Sequence, residues 1–286
     1  MGVVREHDVA RFLEKVGPRL RERPAENNLM LGLLTDLAGG SLIAGREADY
    51  ADVPPILLTA EGAEGVEAVA LQTPPRALIV SRASEPATDA LVRFAVSVNL
   101  TLSGVLGPEE TADRFASQWS LRAGCAAVLR MAKIEYQLER VRPPATCAGR
   151  LREATRADED LLAAWSGAFY REARTDPIQD CLAFVRGRMA AGKLFVWDNG
   201  APVSMTAWTG RTAQGVRIGY VYTPPGERKK GYAGAVVAAL SQRMLDEGSP
   251  RCFLSTNVAN PTSNKIYQAL GYERVCDFRL YDFRAP

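Results

Sequence analysis

The chain is poor in the groups that most enzymes use first. It has one histidine, His7, in 286 residues. That weakens any Ser–His–Asp or Cys–His relay and makes a histidine-based metal site improbable. Its five cysteines, Cys125, Cys147, Cys181, Cys252 and Cys276, are widely spaced and form no CxxC pair. A disulfide framework or zinc site does not follow from such spacing, and a reducing cytoplasm is the expected compartment. No stretch reaches the roughly 18 uninterrupted apolar residues of a membrane span. The start, MGVVREHDVA, has no apolar signal core, and Glu6 stands where a myristoylation signal needs Ser or Thr.

Charge of one sign is lacking too. Thirty-five basic residues against 33 acidic ones leave +2, so no surface-wide attraction to nucleic acid or anionic lipid is expected. Three motifs are absent: GK[ST] of P-loop nucleotidases, GxGxxG of dinucleotide folds and GxSxG of α/β-hydrolases. What remains is an average globular composition, with 47% hydrophobic and 24% charged residues. The length suits two domains at roughly 100–200 residues each.

The pattern along the chain divides in the same way. Helical spacing predicts Asp8–Arg23 and Glu26–Ala38, stopped by Gly39-Gly40. Strand-like runs follow at Pro55–Ala60, Gly65–Gln72 and Ala77–Ser81, then a helix from Pro86 to Val98. A short strand near Thr101–Leu106 and a helix after Pro108 lead into Ala127–Val141, which would finish the first sheet. Arg142-Pro143-Pro144-Ala145-Thr146 reads as a linker, because its prolines extend neither a helix nor a central strand. The arginines around it, Arg140 to Arg156, read as a solvated interdomain face.

The order then repeats. A strand at Gly149–Glu153 precedes helices near Asp158–Tyr170 and Pro177–Ala191. Strands at Leu194–Asp198, Pro202–Thr209 and Val216–Thr223 follow, the first two joined through the hairpin dipeptide Asn199-Gly200. A helix at Tyr232–Glu247, a strand at Arg251–Thr256, a helix at Pro261–Leu270 and a strand at Glu273–Tyr281 complete it. Two α+β domains of similar plan are expected, 1–142 and 149–286.

The richest stretch is GVRIGYVYTPPGERKKGYAGAVVAALSQRML. A strand delivers a glycine loop to a helix start, where N–H groups have no internal partner and the helix dipole is positive. Gly231, Ala233 and Gly234 keep side chains away from a close ligand. Arg228, Lys229 and Lys230 add donors suited to a diphosphate.

Here the sequence resembles the GNAT superfamily of N-acetyltransferases. Its [QR]-x-x-G-x-[GA] signature is matched by Arg228-Lys229-Lys230-Gly231-Tyr232-Ala233, after the habitual lead-in Val221-Tyr222-Thr223-Pro224. A second match lies downstream, where Asn260, Ser263 and Tyr267 hold the N-x-x-[AS]-x-x-x-Y spacing before Ala269-Leu270-Gly271-Tyr272. The resemblance implies two tandem GNAT-like domains, each a mixed, mostly antiparallel sheet flanked by helices. It implies that the amides from Arg228 through Tyr232 to Gly234 hold the pyrophosphate of coenzyme A. The backbone of Val221 to Thr223 would pair with the pantetheine arm, and a backbone N–H of Val221 or Tyr222 would polarise the thioester carbonyl. Asn260, with Ser263 in the same motif, would also meet the pantetheine, and Tyr267 would protonate the departing thiolate.

The resemblance implies direct transfer of an acetyl group from acetyl-coenzyme A to a primary amine in a ternary complex, with no metal. A non-catalytic acyl-coenzyme A sensor is the alternative. The acceptor is expected to be a small-molecule or peptide amine, with neither nucleic acid nor membrane as partner, and a homodimer is among the assemblies such a family allows. The fourth strand of the second half carries no carboxylate, so the usual base is missing. Glu172, in the Tyr170–Asp176 connection, is the candidate base or substrate anchor. Trp208 and Tyr220 would line an acceptor pocket or pack against the sheet. In the first half the corresponding loop reads Arg82-Ala83-Ser84-Glu85-Pro86, without a glycine cradle, so no coenzyme A site is expected there.

Overall fold

The computed structural model of the chain describes residues 1–40, 53–176 and 178–285. Pro177, where a helix was expected to begin, lies outside them. The described backbone forms a twelve-stranded sheet with eight α-helices. In the first part, β1 (Gly2–Glu6) precedes α1 (Val9–Arg21) and α2 (Pro24–Ala38). Then come β2 (Ile56–Gly62), β3 (Gly65–Gln72), β4 (Leu78–Val80), α3 (Glu85–Ser97), β5 (Gly104–Pro108), α4 (Glu109–Ala123) and β6 (Ala126–Leu138). The second part comprises β7 (Arg150–Glu153), α5 (Glu159–Ala173), α6 (Cys181–Ala190), β8 (Leu194–Asp198), β9 (Pro202–Thr212) and β10 (Gly215–Tyr222). It continues with α7 (Tyr232–Asp246), β11 (Cys252–Asn257), α8 (Pro261–Ala269) and β12 (Glu273–Arg284).

The strand order is β1-β2-β3-β4-β5-β12-β6-β11-β10-β9-β8-β7. Each part sends its last strand across: β12 pairs with β5, and β6 pairs with β11. Between them β12 and β6 run antiparallel from Glu273↔Gln137 to Arg284↔Ala126. The expectation that Ala127–Val141 closes the first sheet is therefore corrected, because β6 stands between β12 and β11. This pairing also carries β12 past Tyr281 to Arg284. β1 was not anticipated from the sequence; it is an edge strand with three of five residues exposed, so backbone pairing to β2 defines it rather than apolar alternation.

Helices cover both faces. Phe12, Val16 and Leu20 of α1 and Met30, Leu31 and Leu34 of α2 pack on Leu57, Val69 and Leu71. On the opposite face α3 and α4 bury Leu91, Phe115 and Trp119 against Ile56, Leu58 and Val105. In the second part α5 and α6 cover Val196, Met205 and Ala207, while Val236, Val237 and Leu240 of α7 cover Val216 and Ile218. Each buried aliphatic side chain contributes about 1.5–3 kcal/mol relative to exposure.

One contact joins the two parts closely. Gly32, in the interior of α2, sits against Gly210 of β9, and a Cβ on Gly32 would lie 2.7 Å from the Gly210 Cα. Glycine in a helix interior costs about 1 kcal/mol relative to alanine. Here it lets helix backbone meet strand backbone and makes α2 the wall of a cavity over β9 and β10.

Candidate active site

The site is built around a fork in the sheet. β10 and β11 are parallel and share only two registered pairs, Val216↔Cys252 and Arg217↔Phe253. Beyond Arg217 they part, and the β11-side edge of Gly219–Tyr222 has no strand beside it. On its other side β10 stays with β9 through a bulge: Gly219 pairs with Ala207, and Tyr222 with Met205. One extra residue in β10 kinks the strand and re-aims its side chains.

The extra residue places Tyr220 at φ +59°, in the left-handed region that a bulky side chain rarely adopts. Its surroundings hold it there. The Thr206 hydroxyl donates to the Gly219 carbonyl at 3.2 Å. The Ser204 hydroxyl lies 3.1 Å from the Tyr222 carbonyl and 2.8 Å from the Thr223 hydroxyl. The Tyr220 ring packs edge-on against Phe169 and Phe184, with centroids 5.0 and 5.2 Å away. Val216 and Ile218 therefore face α7, whereas Tyr220 and Tyr222 pack with the α5–α6 side. Tyr220 thus packs against the sheet-covering helices, and Trp208 lies beneath the Lys193 ammonium at 5.1 Å and the Arg211 guanidinium at 4.9 Å.

β10 leads directly into the glycine loop. A short 3₁₀ turn at Pro225–Glu227 is followed by Lys229 at φ +64° and Gly231 at φ +88°, both left-handed. Gly231 is the N-cap of α7, and the first helical bond is Ala235 N–H to the Gly231 carbonyl at 3.0 Å. No side chain caps this helix. The amides of Tyr232, Ala233 and Gly234 therefore form a positive, unfilled end suited to an anion. The equivalent helix of the first part differs. Ser84 caps α3, its hydroxyl accepting from Ala87 N–H at 3.3 Å, so a side chain takes the place an anion would need.

The downstream motif lies on α8. Asn260 is its N-cap, Oδ1 accepting from Ser263 N–H at 3.0 Å, with Pro261 at the first helical position. This commits the amide oxygen to the helix. Tyr267 is buried in the cluster that includes Tyr232, Val236 and Tyr272. Burial pushes its phenol up to about 12, opposed by a hydrogen bond with the Ser263 hydroxyl. Ser263 and Tyr267 thus lie within hydrogen-bond reach of each other on α8. α7 and α8 approach closely, Ile266 lying 3.7 Å from where a Gly234 Cβ would sit.

Glu172 lies at the loop, not apart from it. Arg228 Nη2 donates to its two oxygens at 3.0 and 2.7 Å, and the Tyr222 hydroxyl approaches Oε1 at 3.4 Å. Burial and the Glu172 charge both push the Tyr222 phenol above its ordinary value. Arg228 is also tied back to the Thr223 carbonyl at 2.9 Å, and Lys230 pairs with Glu227 at 3.0 Å. The structure thus gathers Tyr222, Thr223, Arg228 and Glu172 at the mouth of the fork.

On the α2 side of the sheet lies a cavity of about 650 Å³. Asn28 and Gly32 of α2, Thr209 and Gly210 of β9, Arg217 of β10 and Lys133 of β6 line it. None of these was singled out by sequence. The signal was the pair Lys133 and Glu135, alternating with the apolar Ala132, Ile134 and Tyr136. Their side chains share the face of Arg217: Arg217 Nη1 donates to the buried Glu135 at 3.1 Å and to Asn28. Ser255 stands opposite Glu135 in register, and among the described residues its buried hydroxyl has no hydrogen-bond partner.

A family model described as FR47-like protein matches residues 197–280, which span the fork, the loop and Tyr267. No curated protein matches the sequence. Among solved structures, a GCN5-related N-acetyltransferase from Sphaerobacter thermophilus superposes with a TM-score of 0.60 at 15% identity, covering 98% of this chain and 94% of that one. A tandem GNAT protein from the clavulanic acid biosynthesis pathway gives 0.56 at 13% identity, covering 99% and 98%. An acetyltransferase of the GNAT family from Colwellia psychrerythraea gives 0.54 at 13% identity, covering 88% and 96%. The chain therefore has the tandem GNAT fold, with an FR47-like segment across its fork, glycine loop and Tyr267.

Proposed function

We propose that the chain is an acetyl-coenzyme-A-dependent N-acetyltransferase whose coenzyme A apparatus lies in residues 149–286. One observation carries the reading: the unpaired edge of β10 runs straight into the uncapped, glycine-opened N-terminus of α7, while the matching helix α3 is closed by Ser84. An extended pantetheine arm adds to a free strand edge through backbone hydrogen bonds. A pyrophosphate at its end would meet the amides of Lys229 to Gly234 and the Arg228 and Lys230 side chains.

Residues 221–223 would supply the edge, and a backbone N–H at the Tyr220 bulge would donate to the thioester carbonyl as it gains charge. A primary amine arriving from the cavity side would form the new C–N bond as the C–S bond breaks. The amine gives up a proton and the departing thiolate gains one. Tyr267 is protonated at neutral pH, so its hydroxyl would donate to that thiolate. With a pKa near 12 it is a weak acid, and its main contribution is a hydrogen bond to developing negative charge.

Isothermal titration of acetyl-coenzyme A tests the reading directly. Binding in the micromolar range with release of free thiol on adding an amine is expected; no binding at millimolar ligand would overturn it.

A further inference from the structure

The cavity beneath α2 carries more positive charge than its carboxylates match. Its arginines are matched or stacked. Arg217 pairs with Glu135, Arg76 pairs with Asp176 at 2.9 Å, and Arg130 reaches both Asp176 and Asp282. Arg188 stacks on the Phe184 ring at 4.5 Å. The two lysines have no such acid, although the Lys193 ammonium lies over the Trp208 ring at 5.1 Å. Among the described residues neither Lys133 nor Lys193 has a carboxylate within 4.0 Å, and both are half-buried in the cavity wall.

We infer that this cavity binds the acceptor amine through an anionic group on that acceptor, held by Lys133 and Lys193. This rests on the acetyltransferase reading, and it narrows the substrate to small amines that also bear an acid, such as amino acids.

Position makes the cavity the acceptor side of the reaction. Arg217 in its wall is the last residue of β10 paired across the fork. Lys133 pairs in register with Asn257, at the open end of β11, and shares the cavity face with Arg217. An acid held at Lys133 therefore sits on the acceptor side of the splayed strands, with the unpartnered Ser255 hydroxyl one pleat away. The volume falls within the roughly 300–1,000 Å³ of ligand pockets.

The energetics agree. Burial pushes the Lys133 ammonium below its ordinary range; Arg217 and Arg130 add to this, while Glu135 opposes it. An ammonium removed from water without a counterion is costly, and an arriving acid supplies the missing partner. Asp36 of α2, also in the wall, is pushed up by burial, with Lys193 and Arg188 opposing, and one carboxylate cannot match both cations. A polyamine or aminoglycoside would bring further positive charge to the same lysines and be repelled.

The test uses the full chain loaded with coenzyme A. N-acetylglycine, N-acetylglutamate and N-acetylphenylalanine are titrated calorimetrically, each as the acid and as the neutral primary amide, beside N-acetylspermidine. At least one acid should bind tenfold or more tightly than its amide and than N-acetylspermidine. Lys133→Met and Lys193→Met should each erase most of that preference while leaving coenzyme A affinity unchanged. N-acetyl-O-phosphoethanolamine separates a phosphate from a carboxylate, and tighter binding of either anion than of the amides supports the proposal. Equal binding of acids and amides, tighter binding of N-acetylspermidine, no binding of any anion at millimolar concentration, or an undiminished preference in both variants would overturn it. Failure of coenzyme A itself to bind would instead overturn the acetyltransferase reading.

Discussion

Arg228 Nη2 donates to both oxygens of Glu172, at 3.0 and 2.7 Å, so the acid ending α5 and the first cation of the glycine loop form one unit. Both side chains are well exposed, and such pairs contribute only about 0.2–1 kcal/mol. A carboxylate engaged this way steadies the loop and is poorly placed to take a proton from an amine on the cavity side. Glu172→Gln should therefore weaken acetyl-coenzyme A binding no more than about fivefold and change kcat by less than that. A fall in kcat of about 100-fold or more, the scale of a lost general base, would restore Glu172 as the proton acceptor.

Tyr267 gives the opposite expectation. Its removal should be felt in turnover and not in binding. Tyr267→Phe should lower kcat by about 100-fold, at the modest end of general acid effects, with the coenzyme A Kd unchanged. Because burial lifts the phenol to about 12, it stays protonated throughout the assay range. Any alkaline limb of the rate profile below pH 10 should therefore be the same in the variant. Stability carries a matching sign. The folded pKa exceeds the ordinary tyrosine value near 10, so the stabilisation is complete below pH 10 and is lost as pH climbs toward 12. Chemical denaturation at pH 9 and pH 11 should show a smaller loss in Tyr267→Phe than in the parent chain.

Much of this was legible in the sequence, and the rest was hidden for definite reasons. Gly231, Asn260 before Pro261 and the spacing of Ser263 and Tyr267 are local signals, each set within about two helix turns. The cavity is not local. Lys133 and Glu135 alternate with apolar neighbours, as the wet face of an edge strand would. Only the insertion of β6 beside β11, with α2 laid over it, turns that face inward. Arg217 was likewise unremarkable until Glu135 and Asn28, 82 and 189 residues away, closed around it. The resemblance implied a free strand edge at Val221–Thr223 for the pantetheine arm, but the left-handed Tyr220 that shapes the fork has no sequence signature, since nothing about a tyrosine announces positive φ.

Gly32 supports a third expectation. Replacing a mid-helix glycine by alanine ordinarily gains about 1 kcal/mol. Here the new methyl would meet the Gly210 backbone at 2.7 Å, and backbone cannot rotate away. Gly32→Ala should therefore lower Tm, with a net loss of about 1–2 kcal/mol from overpacking. Because α2 is the cavity wall, the acceptor KM should rise while acetyl-coenzyme A affinity holds. A raised Tm in thermal unfolding would show that the α2–β9 contact yields readily.

The loop offers the sharpest separation of backbone from charge. Lys229 and Gly231 both lie at positive φ, +64° and +88°. Lys229→Gly removes a cation but relieves a left-handed side chain, a strain of about 1–2 kcal/mol. Gly231→Ala keeps every charge and imposes that strain at the N-cap of α7. The space is open enough to admit the methyl, its nearest neighbour being Cys147 at 3.7 Å, so the penalty is conformational. If the amides of the first turn hold the anion, Gly231→Ala should tilt them and weaken acetyl-coenzyme A by about tenfold, with a lowered Tm. Lys229→Gly should then cost only a few-fold in affinity and leave Tm equal or higher. The reverse order of affinities, read by calorimetry at two salt concentrations, would mean that side-chain charge holds the anion in place of the helix terminus.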